Sequence, residues 1–238
     1  MNMVFFRSLI FALLQTVFTP FFSMISILTF PWPPMTRYRV ISQWARIMMF
    51  LVEKICGVRY RLEGAENIPD VPCIVLSNHQ SAWETIAFQV ILPPQVWVLK
   101  KELLRIPFFG WGLAMTSPIA IDREEGRAAL KQLIEQGKDR LDAGFFVIVF
   151  PEGTRIAPGK IAPFKIGGAW LATHTGAPVL PIAHNSGYLW GKNAFFKRPG
   201  VITVSIGKPV ETKGMKPNAL NEATETWIRS EMERMGKP

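Results

Sequence analysis

Cysteine is almost absent: Cys56 and Cys73 are the only two in 238 residues. With no CxxC pair and no Cys/His spacing of the metal-binding kind, the sequence offers neither a zinc site nor a disulfide framework. A reduced, cytosol-facing domain is expected. Acidic residues are also scarce, 18 against 27 Lys and Arg, which leaves a net charge of +9. A chain this basic calls for an anionic partner, whether nucleic acid, an anionic membrane surface or a phosphorylated substrate. It has no arginine-rich tract and no aromatic-and-glycine RNA-binding signature, so nucleic acid is not expected. Repeats and low-complexity tracts are missing too, and the histidines are only His79, His174 and His184.

What the chain has in excess is apolar surface, 49% of its residues, much of it near the N-terminus. From Ser8 to Phe30 no charge appears, a run long enough for a membrane-spanning helix. Gln15, Thr19, Ser23 and Ser26 recur at helical spacing and give it one mildly polar face, suited to packing against another helix. The run is long for a signal peptide and no small-x-small cleavage site follows it, so it is expected to stay attached. Pro31, Pro33 and Pro34 must end the helix. From about Thr36 to Cys56 an amphipathic helix follows, with Ile41, Ala45, Met48, Val52 and Ile55 as its apolar stripe. The pair could form a hairpin in one leaflet, or the first helix could span while the second lies in the interface. Arg37, Arg39, Arg46 and Lys54 after the run outnumber Arg7 before it, which puts the remaining chain on the cytoplasmic side of the inner membrane. Residues 1–56 are thus expected to be a membrane-anchoring arm and 57–238 a single catalytic domain.

Beyond Gly57 the pattern changes to short apolar runs separated by helical stretches. Strands are predicted near 59–62, 73–77, 96–99, 118–121, 146–150, 179–182 and 201–206, and helices near 83–91, 124–141, 167–175 and 218–235. This alternation predicts an α/β fold, a mostly parallel sheet flanked by helices on both faces, with its site at the carboxyl ends of the strands.

Two segments at predicted strand ends carry chemistry. Asn78-His79-Gln80-Ser81-Ala82-Trp83-Glu84 follows the strand near 73–77. A carboxylate that accepts from one imidazole nitrogen fixes the tautomer and leaves the other nitrogen to take a proton from a hydroxyl, half of a catalytic triad. No G-x-S-x-G elbow supplies a nucleophile, so the attacking hydroxyl would be the acceptor's own. Taken alone, His79 could equally be a loop residue capping the next helix. Phe150-Pro151-Glu152-Gly153-Thr154-Arg155 follows another strand, and its glycine and arginine suit an anion; taken alone it could be a turn with a solvated arginine. Lys100-Lys101 and Asp122-Arg123 put further cations at strand ends.

In this order the segments resemble the motifs of the glycerolipid acyltransferases typified by the bacterial 1-acyl-sn-glycerol-3-phosphate enzymes. The NHx4D motif resembles Asn78 to Glu84, the Asp-Arg motif Asp122-Arg123, and the apolar strand ending in proline Val179-Leu180-Pro181-Ile182; FPEGTR matches Phe150 to Arg155 in full. One departure is Glu84, where the family pattern usually has Asp. The resemblance covers roughly Gly57 to Gly207. It implies His79 as general base oriented by Glu84. It also implies Lys100, Arg123 and Arg155 on the acceptor phosphate, with Glu152, Gly153 and Thr154 shaping the site. The implied donor is an acyl thioester, acyl-CoA or acyl-acyl carrier protein, and the acceptor is lysophosphatidate, with membrane lipids as partners and no cofactor or metal. The same fold acting on glycerol-3-phosphate, a lyso-ornithine lipid or another lysophospholipid is the nearest alternative. A hydrolase with Cys73 as nucleophile and a non-catalytic membrane-binding module are more distant ones. His174 and His184 stay unassigned, although His184 follows a strand end and could line the pocket.

Overall fold

The computed structural model describes residues 3–122 and 125–238, with Arg127 described by its backbone alone. Each of the seven predicted strands is present: β1 (Val58–Glu63), β2 (Ile74–Ser77), β3 (Gln95–Lys100), β4 (Ile119–Ile121), β5 (Phe146–Val149), β6 (Val179–His184) and β7 (Gly200–Ile206). They form one sheet in the order β1-β7-β6-β2-β5-β3-β4. Strands β2 to β6 run parallel, whereas β7 is antiparallel to β6 and parallel to β1. The central strands β2 and β5 are short, continuous apolar runs buried along their whole length. That is the composition expected of strands covered on both faces. At the edge, β1 carries Arg59 and Arg61, which blunt it against pairing with another chain.

Predicted helices recur as α4 (Trp83–Ile91), α6 (Arg127–Asp142), α7 (Gly167–Thr175) and α8 (Pro217–Met235). The predicted start of α6 at Glu124 lies outside the described residues. Helices α6, α7 and α8 pack side by side as one layer on the sheet. Against β2 and β5 the approach is close: a Cβ on Gly168 would meet Leu76 Cδ2 at 2.6 Å. One short helix was not anticipated, α5 (Phe109–Ala114), whose six residues are too few to show a period.

The N-terminal region departs furthest from expectation. The long apolar helix is there as α1 (Met3–Leu28), and the proline cluster ends it. The second predicted helix is broken into α2 (Pro34–Ile41), α3 (Gln43–Leu51) and a π turn (Val52–Cys56) closed by Gly57 at φ 71°. At the break, Ser42 Oγ donates to Arg39 O, a local bond that competes with regular helix. The stripe Ile41, Ala45, Met48 and Val52 is buried, and α3 packs on α4. It therefore completes a layer of the core and does not face lipid.

Helix α1 is turned inside out relative to a soluble helix. Its buried residues are Ser8, Phe11, Ser23 and Ser26, while Phe6, Ile10, Leu13, Val17, Phe21 and Met24 are exposed along one stripe. The domain pins it near both ends. At one end Phe11 meets Trp190 edge-on at 5.5 Å and Ser8 Oγ accepts from Lys197 N; at the other Ser23 Oγ donates to Phe108 O.

After β1 the chain reverses at Gly64, φ 77°, where a Cβ would lie 2.1 Å from Ile206 O. Gly214 has a similar φ of 80° with open space around it. Gly214→Ala therefore isolates the backbone penalty, about 1 kcal/mol, whereas Gly64→Ala adds a collision with main chain and should cost roughly 3 kcal/mol or more. Thermal unfolding of both variants in detergent checks this; equal losses would mean that the β1–β7 corner relaxes freely.

Candidate active site

Parallel packing of β2, β3, β4 and β5 brings their carboxyl ends to one edge of the sheet, and the segments singled out in the sequence follow those ends. The loop after β2 carries His79 and leads into α4. Its fold is set by Glu84. Glu84 Oε1 accepts from the backbone N–H of Gln80 at 2.8 Å and of Ser81 at 2.7 Å, and Oε2 accepts from Ser186 Oγ at 2.9 Å. Ser81 Oγ accepts from Trp83 N–H in return. This is the reciprocal logic of a capping box, and Ser81-x-x-Glu84 was readable as one.

His79 Nδ1 lies 2.7 Å from Glu84 Oε1. Burial acts to raise the pKa of Glu84, which is 0% exposed, but the fields of His184 and His79, the His79 hydrogen bond and the Ser81 amide outweigh it and hold the carboxyl at about 2. The group is thus an anion across the physiological range and can only accept. His79 Nδ1 must carry the hydrogen it shares, which leaves the Nε2 lone pair available. The imidazole stacks on Phe150, ring centroids 4.1 Å apart, so both its plane and its tautomer are fixed.

The FPEGTR segment clamps this loop from the other side. Glu152 Oε2 accepts from His79 N–H at 2.7 Å, and Ile156 N–H donates to His79 O at 2.7 Å. Burial, partly offset by that amide and reinforced by the charge of Glu84, pushes the Glu152 carboxyl up to about 7. Glu152 lies beneath the site and supports the His79 loop through the main chain. A third support was missed in the sequence reading. Asn78 Nδ2 donates to His184 O, its Oδ1 accepts from His184 N–H, and His184 Nε2 donates to Asn78 O at 2.8 Å. His184 is buried, and burial lowers its pKa. It lies behind the loop and does not line the cavity.

In front of His79 opens a cavity of about 520 Å³, largely apolar. Lys100, Gly153, Thr154 and Arg155 line it together with His79. The buried Nε of Arg155 has no hydrogen-bond partner among the described residues. Lys192 also lines the cavity; a lone loop lysine gives no signal in sequence. Lys101 is paired with Asp122 at 2.5 Å, which ties the ends of β3 and β4 together. Arg123 lies outside the described residues. Away from the mouth, the walls come from β3, α4, α5 and the polar face of α1, Gln15, Thr19, Ser23 and Ser26. The face predicted to pack on a helix does so at α5, and it also closes the cavity.

Cys73 is fully buried in the core, and burial raises its thiol pKa, so it has neither the access nor the charge of a nucleophile. His174 stacks on Trp170 within α7. Among the described residues no group of three or more His, Cys, Asp or Glu could hold a metal ion.

Comparison with known proteins agrees with this geometry. Residues 59–185 match the family model described as Acyltransferase. A 1-acyl-sn-glycerol-3-phosphate acyltransferase of Pseudomonas aeruginosa is 47% identical over 204 residues, 84% of this chain and 79% of that one. One from Limnanthes douglasii is 32% identical over 191 residues, 79% and 67% of the two chains. The crystal structure of the 1-acyl-sn-glycerophosphate (LPA) acyltransferase PlsC from Thermotoga maritima superposes with a TM-score of 0.80 at 26% identity, covering 97% of this chain and 95% of that one. With the family model spanning more than half of its length, this chain belongs to the acyltransferase family.

Proposed function

We propose that the protein transfers an acyl chain from an acyl thioester, acyl-CoA or acyl-acyl carrier protein, to the sn-2 hydroxyl of 1-acyl-sn-glycerol-3-phosphate, forming phosphatidate. The observation that carries this reading is the His79–Glu84 pair, fixed in tautomer, at the mouth of a largely apolar cavity rimmed by Lys100, Arg155 and Lys192. The relatives' names suggest the substrate, and the geometry around His79 supports the roles proposed below.

In the reaction His79 Nε2 accepts the proton of the sn-2 hydroxyl as its oxygen attacks the thioester carbonyl. Glu84 stabilises the imidazolium that forms without taking its proton. The tetrahedral intermediate then expels the thiolate, and His79 returns the proton to it. Arg155 and Lys100, with Arg123, hold the acceptor phosphate; Gly153, at φ 72°, turns the main chain beside it, and Thr154 completes that wall. Glu152 acts one layer back, through the amide of His79.

We also assign α1, the first part of the 1–56 arm expected from the sequence, as the element that holds the enzyme to the cytoplasmic face of the inner membrane, with residues 34–56 packed onto the catalytic domain 57–238. Helix α1 is long and apolar enough to cross a bilayer. Its contacts with the domain support an interfacial position. They run from Phe5, against Phe195, to Ser23, against Phe108, about 27 Å of helix at about 1.5 Å per residue. A domain gripping both ends of that length cannot stay outside a hydrocarbon core of about 30 Å if the helix crosses it. Lying in one leaflet, α1 turns its stripe from Phe6 to Met24 to lipid and its polar face to the cavity.

The reading is tested by incubating purified full-length protein with labelled acyl-CoA or acyl-carrier protein and a panel of lyso-acceptors. Lysophosphatidate is expected to give the highest kcat/KM, and a higher value for a lyso-ornithine lipid or glycerol-3-phosphate would replace it. His79→Ala should lower kcat at least about a hundredfold with the fold intact. Glu84→Gln, which removes the charge, should cost more than Glu84→Asp, which keeps it; equal rates in all three proteins would remove Glu84 from the chemistry. Arg155→Lys keeps charge but loses the planar fork, so KM for lysophosphatidate should rise roughly tenfold, about 1.4 kcal/mol of binding. KM for the acyl donor is the control, and a rise there alone would move Arg155 to the thioester side.

A further inference from the structure

Two loops of the catalytic domain flank α1 and leave large apolar side chains in the open. One follows β3 and runs into the first turn of α5: Leu103, Ile106, Phe108, Phe109 and Trp111 are each 38% to 46% exposed, with Arg105 exposed among them. The other precedes β7: Phe195 and Phe196 are 38% and 45% exposed, between exposed Lys192 and Arg198. A water-soluble surface seldom keeps so many aromatics together unless something covers them. Packing fixes both loops to α1. Phe5 lies 5.5 Å from Phe195 and 6.4 Å from Phe196, and Phe108 O accepts from Ser23 Oγ. Lys197 secures the second loop from within, its ammonium lodged between Phe11, Trp190 and Phe195. The exposed stripe of α1 thus continues into an aromatic and cationic patch at each end.

Aromatic rings beside arginine and lysine match the boundary between headgroups and acyl chains, where a ring is half wet and a cation meets lipid phosphate. The loops also edge the cavity: Phe108 and Phe109 line it from one side, Lys192 and Asn193 from the other. We propose that the loops around Leu103–Trp111 and Lys192–Arg198 are membrane-contact surfaces of the catalytic domain, seating the rim of the cavity in the headgroup layer of an anionic bilayer. The lyso-acceptor then slides from the leaflet into the cavity without passing through water. This rests on the interfacial reading of α1, and the test separates the two.

Cys56 and Cys73 are buried, so a thiol-reactive fluorophore reports on an added exposed cysteine. The full chain carries the probe at Phe196→Cys, at Trp111→Cys, at Leu13→Cys on the α1 stripe, or at Ala223→Cys, an exposed position on α8. Each variant is reconstituted on phosphatidylcholine–phosphatidylglycerol vesicles whose acyl chains are brominated near the headgroup. Quenching of at least about twofold is expected at positions 13, 111 and 196 and none at 223, weakening at 111 and 196 when phosphatidylglycerol is omitted. Quenching at 13 alone overturns this proposal and spares the α1 reading. No quenching at 13 overturns the α1 reading as well. A response at 111 and 196 to added acyl carrier protein, or to unlabelled copies of this chain, without quenching by lipid would assign the patches to a protein partner and overturn the membrane assignment. Equal quenching on neutral vesicles would overturn the anionic part.

Discussion

The site depends on one buried anion. Glu84 has no exposure, yet its oxygens accept from two backbone amides, the His79 ring and the Ser186 hydroxyl. A buried carboxylate without such partners would be neutralised. Satisfied four times, it stays charged, and that charge fixes which imidazole nitrogen holds the hydrogen. The same bonds start α4 and shape the loop that carries His79, so capping and catalysis share one side chain. Oε1 reaches back to Ser81 N–H and to the ring together.

How far the fold could be read in advance follows from where each element sits. Central strands such as β2 and β5 were legible because a parallel strand covered on both faces must be apolar throughout, and the helices because helical stretches separate those runs. What could not be read depends on long-range pairing. Asn78 meets His184 across 106 residues of sequence, and Ser186 meets Glu84 across 102. Nothing local in either segment announces the partner. Lys192 reaches the cavity through an irregular loop, and α5 is too short for periodicity. The stripe from Ile41 to Val52 was correctly seen as apolar, but an apolar stripe does not say whether it meets lipid or protein. The partner helix α4 decides that, and only the tertiary structure shows it.

The same ambiguity runs the other way in α1. Its composition gives a membrane helix, while the placement of Ser8, Ser23 and Ser26 inward and of leucine, phenylalanine and methionine outward makes it a wall of the cavity as well. Because α3 belongs to the core and α1 closes the cavity, the N-terminal region is not a detachable anchor. Truncation at residue 56 would strip α4 of its cover and open the cavity to water, so loss of activity in such a truncation would say little about membrane binding.

Glu84 and Glu152 show how the site tolerates two carboxyls around one histidine. Both are buried, and both accept a hydrogen bond from His79, one from its ring and one from its main chain. Two adjacent buried anions repel strongly where water cannot screen them. The structure divides the burden unequally. Glu84, with more donors and with both histidines nearby, is held at about 2, whereas burial, offset by only one amide from His79 and reinforced by the field of Glu84, pushes Glu152 up to about 7. Near neutrality Glu152 is therefore partly protonated, and the repulsion that would oppose the Glu84 charge is relieved. Its raised value also sets a sign for stability. A carboxyl whose folded pKa lies above its unfolded one contributes fully below the unfolded value, and the contribution is lost as pH rises through about 7. On the alkaline side the fold therefore carries the full cost of a second buried charge beside Glu84, even though the bond from the His79 amide to Glu152 favours the ionised form.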